Sequence, residues 1–140
     1  MKARQLTYWI TTGLLGLVFA FGAFSDLSRS PQIIEGMSHL GYPAYFATIL
    51  GVWKALGAIA LLAPRLPLVK EWAYAGMFFD LSGAALSHAS VGDPFSKILV
   101  PLVLIALLVT SWALRPQSRR LAGAVASLPP AREAATLSHA

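Results

Sequence analysis

KILVPLVLIALLVTSWAL, residues 97–114, holds no ionisable group after its first lysine. Its β-branched run could pass for a buried strand. Seventeen consecutive residues without a charge instead favour a helix that spans a bilayer, since about 20 residues at 1.5 Å rise cross a hydrocarbon core of ~30 Å. Pro101 lies in its second turn and is expected to bend it. Three further apolar stretches have similar length: residues 7–27 with Asp26 as the one formal charge, 44–63 with Lys54 near the middle, and 72–90 with Asp80 and His88. The expected fold is an all-α membrane protein, a four-transmembrane-helix antiparallel bundle over residues 1–115. A disordered cytoplasmic tail is expected over residues 116–140.

Composition agrees. Of the 140 residues, 56% are hydrophobic and 12% charged, against about 45–50% and 25% in soluble domains. So few charges cannot clothe the surface of a small water-soluble domain, and so apolar a chain is not disordered. The absence of cysteine excludes disulfide scaffolds, iron–sulfur clusters, thiolate zinc sites and dithiol exchange. The net charge of +5 is not a nucleic-acid signal, because the basic residues stand just outside the apolar stretches. With both termini in the cytoplasm, Lys2, Arg4, Arg65, Lys70, Arg115, Arg119 and Arg120 lie inside, against Arg29 and Lys97 outside. That asymmetry fixes the orientation by the positive-inside rule. A basic start and the weak small-residue site at Ala20-Phe21-Gly22 also suit a cleaved leader, but the apolar run is too long for one.

Proline and glycine punctuate the chain. Pro43 opens the second span, while Pro64 and Pro67 close it. Asp93-Pro94 reads as a helix cap followed by proline at the first helical position, and Arg115-Pro116 ends the last helix. Between Ser28 and Tyr42, the residues Ile33, Ile34, Met37 and Leu40 share one helical face, with Glu35 and His39 on another. This pattern predicts a short helix lying in the interface.

Charges at membrane depth need a partner or a purpose. Lys54 and Asp80 are ~13 and ~12 Å from the same ends of adjacent antiparallel helices, so they are expected to pair. Such a pair either fixes helix register or handles protons or a ligand. Asp80, Ala84 and His88 recur every four residues and form one stripe, making Lys54, Asp80 and His88 the candidate ion pair or ligand pocket. Asp26, His39 and Asp93 form a candidate polar cluster at the outer mouth. No metal site and no catalytic residue are assigned. A bis-histidine haem is disfavoured, as His88 is the one histidine within a span. Trp53, beside Lys54, is an aromatic placed either for lipid or for a ring-shaped ligand such as a quinone.

The run His39-Leu40-Gly41-Tyr42-Pro43, with Gly51-Val-Trp-Lys54-Ala-Leu-Gly57, Lys70-Glu-Trp-Ala-Tyr-Ala-Gly76, Ser87-His88 and Gly92-Asp93, resembles the DoxX-like family of small bacterial membrane proteins. The resemblance covers residues 5 to 115 and implies a four-helix bundle in the bacterial inner membrane. The wider group includes subunits of quinone-linked oxidase and thiosulfate:quinone oxidoreductase complexes. It implies a small subunit or partner of a quinone-linked redox system, with quinone or lipid as a non-covalent ligand. The other reading is a proton-coupled transporter or exporter of small solutes, acting as a homo-oligomer.

Overall fold

Each apolar run becomes a helix, and each helix outruns its apolar run wherever polar residues can continue the backbone ladder. The structure, a computed structural model, describes residues 2–121. Its helices are α1 (Lys2–Ser28), α2 (Pro31–His39), α3 (Ala44–Leu62), α4 (Pro67–Ser90) and α5 (Phe95–Leu114), followed by a 3₁₀ turn at Gln117–Arg119. Three of them, α1, α3 and α5, are long and apolar enough to cross a membrane. α4 has the length, but Lys70, Glu71, Asp80 and His88 reduce its apolarity.

Three boundaries correct the sequence reading. α1 begins at Lys2 and α4 at Pro67, each five residues before its apolar run, because the first turn of a helix accepts polar residues. Pro67 thus opens α4 rather than closing α3; it sits where no helical N–H is needed. Asp93 is not the cap of α5. Pro94 occupies the cap without a side-chain bond, and the Asp93 carboxylate is engaged elsewhere, as described below. Gly92, at φ 73°, makes the left-handed turn out of α4 that a side chain would oppose. The first residues of the expected tail fold back on the helices, while residues 122–140 lie outside the described part.

α1 packs on α3 and α5, and α4 packs on the same two. The buried face of α1 recurs at heptad spacing through Tyr8, Thr12, Leu15, Phe19, Ala23 and Asp26. Leu15 and Phe19 meet Ala58 and Leu61 of α3, Tyr74, Met77 and Leu81 of α4, and Leu108 of α5 in a narrow core. Outside this core the surface is apolar: Phe21 and Phe24 are 72% exposed, Leu17 and Phe79 70%. Such a surface suits lipid rather than water.

Polar side chains join the helices at the end that carries both described termini. Thr12 and Ser111, both fully buried, are 2.7 Å apart, and Tyr74 reaches Ser111 at 2.8 Å. Lys70, 1% exposed, donates to the carbonyls of Ala60 (2.8 Å), Leu61 (3.0 Å) and Ala63, closing the carbonyl end of α3. Arg115 pairs with Glu71, and Trp112 Nε1 donates to the same carboxylate at 3.1 Å. Arg119 donates to the Tyr8 hydroxyl at 3.4 Å and the Leu61 carbonyl at 3.3 Å. Its guanidinium stacks 4.7 Å over Trp9.

At the other end α1 and α3 approach at glycine. A Cβ on Gly51 would stand 2.7 Å from Leu27 Cγ and 3.1 Å from the Leu27 backbone nitrogen, which cannot yield. Gly51→Ala is therefore expected to lower stability despite its better helix propensity, the overpacking cost of about 1–3 kcal/mol exceeding a gain of about 1 kcal/mol. Gly13→Ala, with nothing within 4 Å of the new atom, should be neutral or stabilising. Melting temperatures of the two variants in one detergent check this; equal melting would place α1 and α3 farther apart.

Candidate functional site

The membrane-depth charges converge from three helices. Asp26 comes from the last turns of α1, Lys54 from the middle of α3 and Asp80 from the middle of α4. Lys54 is unbranched and long enough to reach a carboxylate on either neighbour. Its ammonium donates to Asp26 Oδ2 at 2.8 Å and stands 4.0 Å from Asp80 Oδ2. The expected Lys54–Asp80 proximity is there, but the hydrogen bond goes to Asp26. Asp26 therefore leaves the outer cluster in which its level had grouped it. The reason is the α1–α3 contact: Gly22 lies beside the Lys54 stem, 3.4 Å from Cδ to a would-be Cβ, so the lysine runs along α1 toward Asp26.

The rest of that cluster does assemble. His39, at the end of α2, donates from Nε2 to Asp93 Oδ1 at 2.9 Å. His88, on α4, donates from Nδ1 to Asp93 Oδ2 at 2.6 Å, and Lys97 stands 3.6 Å from Oδ1. Asp93 is in the α4–α5 loop with its side chain 7% exposed. Hydrogen bonds from His88 and then His39 hold its carboxyl down at about 2. Tyr42 adds a second tie between the segment after α2 and α4, 2.7 Å from Ser87 Oγ. Each histidine spends a ring nitrogen on the same carboxylate. Among the described residues no group of three or more His, Asp or Glu side chains is placed to hold a metal ion.

Two cavities open beside the Lys54–Asp80 level. The larger, about 930 Å³, lies between α3 and α4. Trp53, Phe46 and Leu50 line it from α3 and Gly76, Phe79 and Gly83 from α4, with Phe19 of α1 among the walls. Met37 of α2 and Leu40 just beyond that helix line its end nearest α2. The smaller, about 390 Å³, lies where α1, α4 and α5 meet, with Val18, Pro101 and Leu104 in its wall. Lys54, Asp80 and His88 line both cavities, so the three residues grouped from the sequence stand together at the partition. What sequence reasoning missed is that α2 roofs the larger cavity and that Asp93 fastens the roof. The signal was the apolar face of α2, half-buried at Ile33, Ile34, Met37 and Leu40.

The sequence profile of the DoxX-like family matches residues 10–111 of this chain. The chain belongs to the DoxX-like family. No curated protein and no solved structure matches it. Family and apolar helices together make it a membrane protein.

Two expectations follow for this DoxX-like chain. Lys54→Met strands two carboxylates and should cost about 3–5 kcal/mol, as broken buried pairs do. Asp26→Asn should cost less, because Asp80 is in reach of the freed ammonium. Joining both changes should recover only part of the first loss, since Asp80 is still left without a cation, and a double-mutant cycle in one detergent reads the coupling. Additive losses would mean that the hydrogen bond does not form. Separately, Asp93 is held below its usual value, so its contribution is complete above about pH 4, where an unfolded aspartate ionises. It is lost as pH falls through about 2. Melting temperature against pH should lose part of this acid limb in Asp93→Asn, and an unchanged limb would refute the assignment.

Proposed function

We propose that this chain is a four-helix antiparallel transmembrane bundle of the bacterial inner membrane, with both termini cytoplasmic. We infer that it binds a quinone or a lipid between α3 and α4 as a small subunit or partner of a quinone-linked redox system. The orientation rests on the basic residues, whose larger group shares the end that carries both described termini. As a fourth span, the 24 residues of α4 reach ~36 Å at 1.5 Å per residue. Its polar stripe then faces neighbouring helices rather than lipid.

The observation that carries the ligand reading is the α3–α4 cavity. Its volume of about 930 Å³ is that of a ligand site, and its walls are mostly apolar. Gly76 and Gly83 leave the α4 wall flat, since a Cβ at either would meet nothing within 4 Å. Trp53 and Phe79, 63% and 70% exposed, flank the opening as stacking surfaces for a ring. Lys54, with one N–H on Asp26, supplies the spare hydrogen-bond donors at the polar side. A ligand with an apolar ring, carbonyl acceptors and a hydrocarbon tail fits that division. In such a system this chain's part is to hold and orient the ring and to exclude water, while a partner subunit carries the electrons.

The exporter reading keeps one observation in its favour: Lys54 and Asp80 line two cavities bounded by different sets of helices.

Two measurements test the proposal. A reporter fused after Arg115 should report from the cytoplasm and one inserted at Ser90 from outside; the reverse would overturn the orientation. A short-chain quinone should quench tryptophan fluorescence saturably, and Gly83→Leu, whose Cβ meets nothing within 4 Å and whose side chain projects into the groove, should weaken it about tenfold. Quenching without saturation would remove the ligand reading.

A further inference from the structure

We propose that the α3–α4 groove binds an apolar organic cation, with Asp80 as its counter-ion. This goes beyond the redox reading and does not depend on it: the charge argument holds whichever neutral ring the cavity takes.

The first step is a count of charges. Asp26 and Asp80 bring two carboxylates to one level, and Lys54 brings one ammonium. At 2.8 Å the ammonium is hydrogen-bonded to Asp26; at 4.0 Å from Asp80 it is beyond hydrogen-bond reach. Burial runs the same way, with the Asp26 side chain 7% exposed and that of Asp80 20%. The other basic groups near the cavities are already engaged. His88 gives its Nδ1 to Asp93, and Lys97 stands 3.6 Å from the same carboxylate. Among the described residues no cation other than Lys54 comes within 4.0 Å of Asp80. A carboxylate in an apolar wall without a counter-ion of its own is costly, and a bound cation removes that cost.

The cavity then selects the kind of cation. A hard metal ion needs several oxygen ligands to replace its water, and the groove offers mostly carbon. A bulky organic cation is weakly hydrated and gains from aromatic faces. Those faces are present: Trp53 follows Leu50 along the α3 wall, Phe79 adjoins Asp80 on α4, and Tyr42 and Phe46 stack at 4.8 Å near the roof. The flat strip at Gly76 and Gly83 gives the apolar substituents room beside the carboxylate.

The test compares tetraphenylphosphonium with triphenylphosphine oxide, a neutral molecule of related shape, by equilibrium dialysis against the purified full chain in lipid nanodiscs. The cation should bind about tenfold tighter than the neutral molecule. Asp80→Asn should abolish that preference, and Asp80→Glu should keep it, which guards against a variant that merely misfolds. Asp26→Asn should also reduce the preference, because the freed Lys54 ammonium then turns to Asp80 and takes the ligand's place. Equal binding of the two probes by the wild-type chain would overturn the proposal. So would a preference that survives Asp80→Asn. A short-chain quinone is titrated on the same samples: its saturable binding with no cation preference defeats the cation site alone. Cation preference without quinone binding defeats the redox reading alone.

Discussion

One ammonium, that of Lys54, stands between two carboxylates on two different helices, and much of the molecule follows from how it divides itself. In an apolar setting an ionised side chain must be neutralised by a neighbour, and a lysine can donate a short hydrogen bond to one oxygen while only approaching another. It chooses Asp26 at 2.8 Å. That choice draws α1 onto α3, and the absence of a side chain at Gly51 lets the backbones meet beside Leu27. α4 receives no comparable pull at the same level. Its Asp80 is left 4.0 Å away, and the space between α3 and α4 stays open as the larger cavity.

An open flank at mid-height is compatible with a stable fold because both ends are tied. At the end carrying both described termini, the ties are Lys70 on the α3 carbonyls, Glu71 on Arg115, and the hydroxyls of Thr12, Tyr74 and Ser111. At the other end, His39 and His88 grip Asp93 from two elements. The second set does more than hold. By fastening α2 to the α4–α5 loop it keeps Met37 and Leu40 over the cavity, so the roof and the wall of the cavity are joined through one carboxylate. The core of Leu15, Phe19, Leu61 and Met77 supplies the packing between the two tied ends.

Helix positions were legible in the sequence because they depend on runs of apolar residues and on proline, both local. Depth was legible too: counting residues from the helix ends placed Lys54 and Asp80 at one level, and they are near one another. The preferred partner was not legible. Depth along a helix says nothing about azimuth, and a lysine stem spans more than one turn, so Asp26 at the end of α1 can be reached from the middle of α3. Chain order made α3 and α4 antiparallel neighbours because a short loop joins them, yet glycine at positions 22 and 51 lets α1 approach α3 closely. Asp93 misled for a different reason. Asp before Pro is a good capping signal, and it stood beside the grouping of Asp93 with His39 without showing which use the carboxylate takes. Lys70 and Arg115 read as topology charges because burial cannot be seen in a linear count. Both are in fact nearly inaccessible and hold helix ends together.

The acidic residues of α1, α4 and the α4–α5 loop then sort themselves by what answers them. Asp26 has the Lys54 ammonium, Glu71 has Arg115 and the indole of Trp112, and Asp93 has two histidines and Lys97. Asp80 alone in this set shares its cation with a better-placed rival. A carboxylate kept at membrane depth for structure alone would be expected to have a partner of its own, since an apolar side chain of like volume would otherwise serve as well or better. Its position reinforces the point: Asp80 lines both cavities, on the helix whose polar stripe makes it the least apolar of the four long ones. The fold uses Asp26, Glu71 and Asp93 to hold its elements to one another. Asp80 is the charge it leaves facing the space between them.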